Sequence, residues 1–185
     1  MDVKEAIETR RAYRALAPVE ITDETVRDLA RSASLAASCF NNQPWRYVFV
    51  RKPDVLEEMF ATLPDGNAWA RAASMIVAVI SKPDLDCQIM GRDYFLFDCG
   101  MGTAQMILRA TELDLVAHPI AGYSPKKVRG VLGVPDDLSV AALVIFGKHT
   151  DEISDLLSEG QAASEPKRPD RRPFEEFAWM DRYGG

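Results

Sequence analysis

The sequence predicts a single domain that mixes helices with strands, and three observations carry that reading. Thr22 stands where a helix cap belongs, ahead of Asp23 and Glu24 and a stripe of Val26, Leu29, Ala30 and Ala33. Residues 75–80 and 140–146 are unbroken apolar runs of the kind found in strands covered on both faces. Residues 94–113 are apolar or small on nearly every side, as in a helix packed all round.

The remaining elements follow in chain order. Val3, Ala6 and Ile7 share a helical face, and that first helix ends near the basic run 10–14. After the capped helix and a polar loop at 38–44, residues 45–50 are aromatic and β-branched and read as a strand. A short helix carrying Leu56, Met59 and Phe60 comes next, followed by a turn at 64–67. Residues 116–122 predict a short strand ending in small residues, and Pro125 opens another short helix. From 158 to 173 the chain is polar and proline-rich, yet it ends in Phe174, Phe177, Trp179 and Tyr183. Four aromatics need a docking surface, and a second subunit provides one. The expected division is therefore a domain over 1–157 and an arm over 158–185 that packs on the partner.

The chain has 185 residues, 47% of them hydrophobic and 27% charged, which suits one globular core and excludes wholesale disorder. A formal net charge of −6 disfavours nucleic acid and anionic membrane as general partners. No apolar run approaches the roughly 20 residues needed to span a bilayer, and the N-terminus lacks a signal-peptide layout, so a soluble cytoplasmic protein is expected. Cys39, Cys87 and Cys99 are odd in number and form no C-x-x-C pair, so all three are expected to be reduced and no metal centre is expected.

Positive charge is nevertheless concentrated. Residues 10–14 and 165–172 hold seven of the 22 basic residues: Arg10, Arg11, Arg14, Lys167, Arg168, Arg171 and Arg172. Guanidinium forks from both clusters would make a phosphate clamp if the fold brought them together; apart, they are solvated charge. Residues 38–45 gather hydroxyl, thiol and amide groups suited to the edge of a heterocycle, or to a capped turn. His118 precedes a run of small residues but has no carboxylate beside it in sequence, and a structural role is favoured for it and for His149. Gly100-Met101-Gly102 lacks the third glycine and follows no strand, so it is not a dinucleotide fingerprint. Phosphate-loop, H-E-x-x-H and G-x-S-x-G motifs are absent, and an enzyme of this sequence would depend on a bound cofactor.

Taken together, Arg10-Arg11-Ala12-Tyr13-Arg14 resembles the R-R-S-x-R start of the nitroreductase family of flavoproteins, and Asn41-Asn42-Gln43-Pro44-Trp45 resembles its N-x-Q-P-W motif. The long apolar helix, the turn at 117–123 and the segment 171–176 are similar to further parts of the family, in the same order. The resemblance implies an α+β fold, three-layered, with a central mixed sheet flanked by helices, in an intertwined homodimer. It also implies one FMN in each of two interface sites. By the same resemblance Arg10, Arg11, Ala12, Arg14 and Arg171 would surround the flavin phosphate. Ala37, Ser38, Cys39, Asn41 and Gln43 would meet ribityl and ring, with Asn67, Ile120, Ala121 and Gly122 near the ring. Ala12 replaces the usual serine, a loss of one neutral hydrogen bond worth about 1 kcal/mol.

The activity so implied is FMN-dependent hydride transfer, in ping-pong order, from NADH or NADPH to a nitroaromatic, quinone or related small acceptor. No side chain is expected to act as catalytic acid or base. The short stretch between Leu63 and Asp98 leaves little chain for a lid, so an open pocket is expected. Competing readings are a flavin-binding protein without turnover, for storage or sensing, and a cofactor-free dimeric interaction protein.

Overall fold

The computed structural model describes residues 1–184. Its helices are α1 (Val3–Thr9), α2 (Asp23–Ser34), α3 (Pro53–Phe60), α4 (Phe95–Glu112), α5 (Pro125–Leu132) and α6 (Glu159–Ser164). Its strands are β1 (Leu16–Ala17), β2 (Arg46–Val50), β3 (Met75–Ser81), β4 (Gln88–Ile89), β5 (Arg92–Asp93), β6 (Val116–Ile120) and β7 (Ser139–His149).

The apolar runs form the centre of the sheet. Every residue of β3 is buried, and β7 pairs with β3, with β6 and, at its last two residues, with β1, while β2 lies on the far side of β3. All these pairings are antiparallel, where a mixed sheet was expected. The long connections, among them α3 between β2 and β3, return the chain to a neighbouring slot in the opposite sense. One core, with Trp69, Ile76, Leu143 and Val128, lies against one face; the other, with Leu29, Val77, Phe146 and Met106, lies beneath α2 and α4.

Thr22 caps α2 as its position predicts, its hydroxyl accepting from the Thr25 N–H at 3.1 Å. A close approach of α2 and α4 requires Gly102, because a Cβ there would lie 2.8 Å from the Tyr47 hydroxyl and 3.2 Å from the Ala33 carbonyl. Helix α4 is not covered all round within one chain. Asp98, Cys99, Gly102, Met106 and Ala110 face inward, while Leu96 and Phe97 are 54% and 64% exposed, beside exposed Gly100 and Ala104. Composition could not separate the two faces, since both are apolar or small.

The expected polar arm is better ordered than its composition suggests. Ser158 and Gln161 form a reciprocal capping box that starts α6. Gln161 then donates to the Gly66 carbonyl, and the chain continues along the end of α1. Between Leu63 and Asp98 the small β4–β5 hairpin projects with Met90 exposed at its tip. No described helix is long and apolar enough to cross a membrane.

Candidate functional site

Two basic segments more than 150 residues apart converge. Arg10, Arg11, Ala12 and Arg14, which follow α1, line a cavity of about 180 Å³ together with Arg168, Arg171, Glu165 and His118. Glu165 is buried at 6% exposure; its Oε1 accepts from the Arg14 N–H at 2.8 Å, and its Oε2 is shielded without a partner. One carboxylate faces five guanidinium groups. Burial, then Arg168 and Arg171, push the Arg10 guanidinium below its ordinary value, so the cluster resists its own charge.

The arginines do different work. The Arg11 guanidinium donates to the carbonyls of Ser164 at 2.9 Å and Lys167 at 2.7 Å, and so pins the arm. Arg168 donates to the carbonyls of Glu8 and Arg10 at 2.6 and 2.7 Å, and braces the end of α1. Among the described residues the Arg10 and Arg14 guanidiniums donate to no backbone carbonyl, and Arg171 donates to one, that of Pro169, at 2.9 Å. The family resemblance gave Arg11 to the phosphate, and Arg168 entered only as a member of the C-terminal basic cluster; the carbonyls that occupy both depend on the path of the arm, which sequence spacing does not encode.

From this cavity a chain of contacts leads to the second group of predicted residues. The Arg14 guanidinium lies 6.0 Å from the centre of the Trp69 ring, and that ring packs on His118 at 4.5 Å. The Trp69 Nε1–H donates to Asn67 Oδ1 at 3.2 Å, and Asn67 Nδ2 donates to the Gly122 carbonyl at 2.7 Å. Asn67 and Gly122 thus meet, with Ile120 and Ala121 immediately before the glycine at the end of β6. A Cβ on Gly122 would stand 2.6 Å from Asn67 Nδ2. Gly122→Ala is therefore expected to break that hydrogen bond and cost about 1–3 kcal/mol, read as a lower urea midpoint.

His118 is a structural residue. It is 7% exposed, and its Nδ1 lies 2.9 Å from the Tyr13 carbonyl. Burial holds its ring below the usual value, with Arg14 and Arg10 adding to the effect, although the Tyr13 carbonyl and Glu165 oppose it. The unfolded chain takes up this proton near pH 6.5, the folded chain only at lower pH, so the stability His118 contributes is full above about 6.5 and is lost as pH falls below it. In FMN-free protein, the gap in urea midpoint between wild type and His118→Gln should narrow from pH 7.5 to pH 5.

The third group stands elsewhere. Ala37, Ser38, Cys39, Asn41 and Gln43 lie on the loop between α2 and β2, and none lines the arginine cavity. The Cys39 N–H donates to Asp98 Oδ2 at 2.6 Å, and Gln43 N–H donates to the Ser38 hydroxyl at 3.0 Å. The expectation of three reduced thiols is overturned: Cys39 is disulfide-bonded to Cys87, leaving buried Cys99 free. The partners are 48 residues apart, and only the fold places this loop beside the segment before β4. The side chain of Cys39 is thereby committed to Cys87, and its N–H to Asp98.

Comparison with known proteins points one way. Residues 7–148 match the model of the Nitroreductase family. A protein of Archaeoglobus fulgidus, named as a candidate NADH dehydrogenase/NAD(P)H nitroreductase, is 30% identical over 150 residues, covering 79% of this chain and 84% of its own. The NADH dehydrogenase of Thermus thermophilus is 25% identical over 188 residues, covering 82% and 89%. A solved structure described as an oxidoreductase containing FMN superposes with a TM-score of 0.84 at 26% identity, over 100% of this chain and 94% of that one.

Proposed function

From the premise that the chain belongs to the nitroreductase family, we propose that it is an FMN-dependent oxidoreductase that moves hydride from NADH or NADPH to a small nitroaromatic, quinone or related acceptor. The observation that supports this reading most directly is the cavity in which five arginines face a single carboxylate, a charge balance suited to a phosphate dianion. Bound FMN would supply the hydride-transfer chemistry, with nucleotide and acceptor using the site in turn, in ping-pong order.

The protein's part is anchorage and placement. Arg10, Arg14 and Arg171 would hold the phosphate, Arg11 and Arg168 keep arm and helix end in register around the cavity, and Ala12 would give room without a hydroxyl. The Asn67–Gly122 pair, reached from the cavity through Trp69, positions an amide and backbone groups at the ring. Such donors stabilise negative charge on the reduced ring without moving a proton. No catalytic acid or base is assigned; His118, the titratable ring nearest the clamp, is tied to the Tyr13 carbonyl.

The loop carrying Ala37 to Gln43 would complete the site from a second copy. Leu96, Phe97, Phe174, Phe177 and Tyr183 are exposed apolar groups that a homodimer would cover. The deciding experiment is a visible spectrum of purified protein under anaerobic conditions. Bound flavin that NADH or NADPH bleaches, and that a quinone or nitroaromatic restores, is the expected result. Bound flavin unmoved by either nucleotide would favour a flavin store, and failure to take up FMN would favour an interaction protein.

A further inference from the structure

The Cys39–Cys87 bond joins two surface segments at a point crowded with acidic groups. Both sulfurs and an Asp86 carboxylate oxygen lie within 4.8 Å of one another. Asp86 Oδ1 accepts from the Cys87 N–H at 2.8 Å and from Asn42 Nδ2 at 3.3 Å, while Asp86 Oδ2 is shielded from solvent with no partner. Asp98, 2% exposed, faces Asp86 and accepts the Cys39 N–H. Burial, reinforced by Asp86, pushes the Asp98 carboxyl above its ordinary value.

The loop held by this bond is conformationally demanding. Phe40, Asn41 and Gln43 adopt φ of 48°, 58° and 50°, a left-handed region that non-glycine residues occupy when their surroundings hold them there. The restraints are the disulfide, the Cys39 N–H on Asp98, the Asn42 amide on Asp86 and Cys87, and the Ser81 hydroxyl on the Pro44 carbonyl at 2.9 Å.

We infer that Cys39 and Cys87 form a reversible redox centre, opened by a dithiol, that switches residues 38–44 between a clamped and a free state. The Asn42 amide donates to Cys87 Sγ at 3.4 Å and stabilises negative charge there, which makes Cys87 the leaving group and Cys39 the attacked sulfur. A thiolate of the dithiol bonds to Cys39 Sγ, the Cys39–Cys87 bond breaks, and its electron pair goes to Cys87, which is protonated by water. The second thiol of the reductant then attacks the mixed disulfide and releases Cys39, which is protonated by water. The protein gains two electrons and two protons, and the reductant becomes a cyclic disulfide. The charged and titratable groups around the disulfide are Asp86, Asp98, the Cys99 thiol and Arg46. The redox step stands independently of FMN; where the loop also serves the cofactor, opening it would weaken retention.

The test uses the full chain, with and without FMN, equilibrated in air or with dithiothreitol under native conditions. Alkylation after denaturation should count one thiol in the oxidised protein and three in the reduced protein. Hydrogen exchange at residues 38–44 should rise on the order of 10-fold on reduction, and Cys87→Ser should show the fast rate without reductant. Three thiols in the air-equilibrated protein, a disulfide that native dithiothreitol leaves closed, or exchange at 38–44 unchanged by reduction would each overturn the switch. Protein that takes up no FMN yet opens and closes this bond would defeat the functional reading and leave the redox centre standing.

Discussion

Replacing Arg10 with alanine should weaken FMN binding by about 10- to 100-fold, on the basis that a charge-assisted hydrogen bond is worth roughly 1.5–3 kcal/mol. The same substitution should leave the FMN-free protein as stable as wild type or slightly more so. Arg10 is depressed by burial and by repulsion from Arg168 and Arg171, so removing it relieves a cluster that is strained without an anion. Arg11→Ala is expected to behave in the opposite manner. Its guanidinium holds the Ser164 and Lys167 carbonyls, so its loss undocks the arm and lowers the melting temperature even without FMN. Glu165→Gln removes the one negative charge in the cavity and should tighten FMN binding, at some cost to the Arg14 backbone contact. Thermal melts of the three variants, each with and without FMN, check the set. Equal FMN affinity in wild type and Arg10→Ala would sink the phosphate clamp.

How far the sequence could be read depended on how local the determining physics was. The cap at Thr22 and the buried run of β3 are set by a few adjacent residues, and both stand where periodicity puts them. The two basic clusters were visible as clusters, and the family resemblance joined them, but which arginine braces and which stays free is decided by carbonyl groups on a distant arm. Leu96 and Phe97 look like core residues in composition; whether a face of α4 is covered depends on what lies opposite, and one chain places nothing there. The disulfide was not legible because no spacing rule links residues 39 and 87, and an odd cysteine count pointed away from it. The antiparallel sheet likewise depends on where each connection returns, which the strand segments do not state.

Trp69→Ala is expected to be the most damaging single substitution, costing about 3–5 kcal/mol of stability, as the loss of a buried indole generally does. Trp69 is 1% exposed and belongs to the core against the sheet. It also links the two halves of the site, since one face packs on His118, the Arg14 guanidinium lies near its ring and its N–H fixes the Asn67 amide toward Gly122. Trp69→Phe separates these roles. It keeps most of the apolar volume but removes the donor to Asn67 Oδ1, a change worth about 1 kcal/mol in stability. If the indole matters for the site through that hydrogen bond, Trp69→Phe should bind FMN with the phosphate clamp intact yet alter the flavin spectrum and slow its reduction by NAD(P)H, because the amide is free to turn. If packing is its whole role, the phenylalanine variant should show a reduced urea midpoint with an unchanged flavin spectrum and reduction rate. Measuring the midpoint and the flavin signals on one preparation decides between a core residue that happens to lie beneath the site and one that orients it.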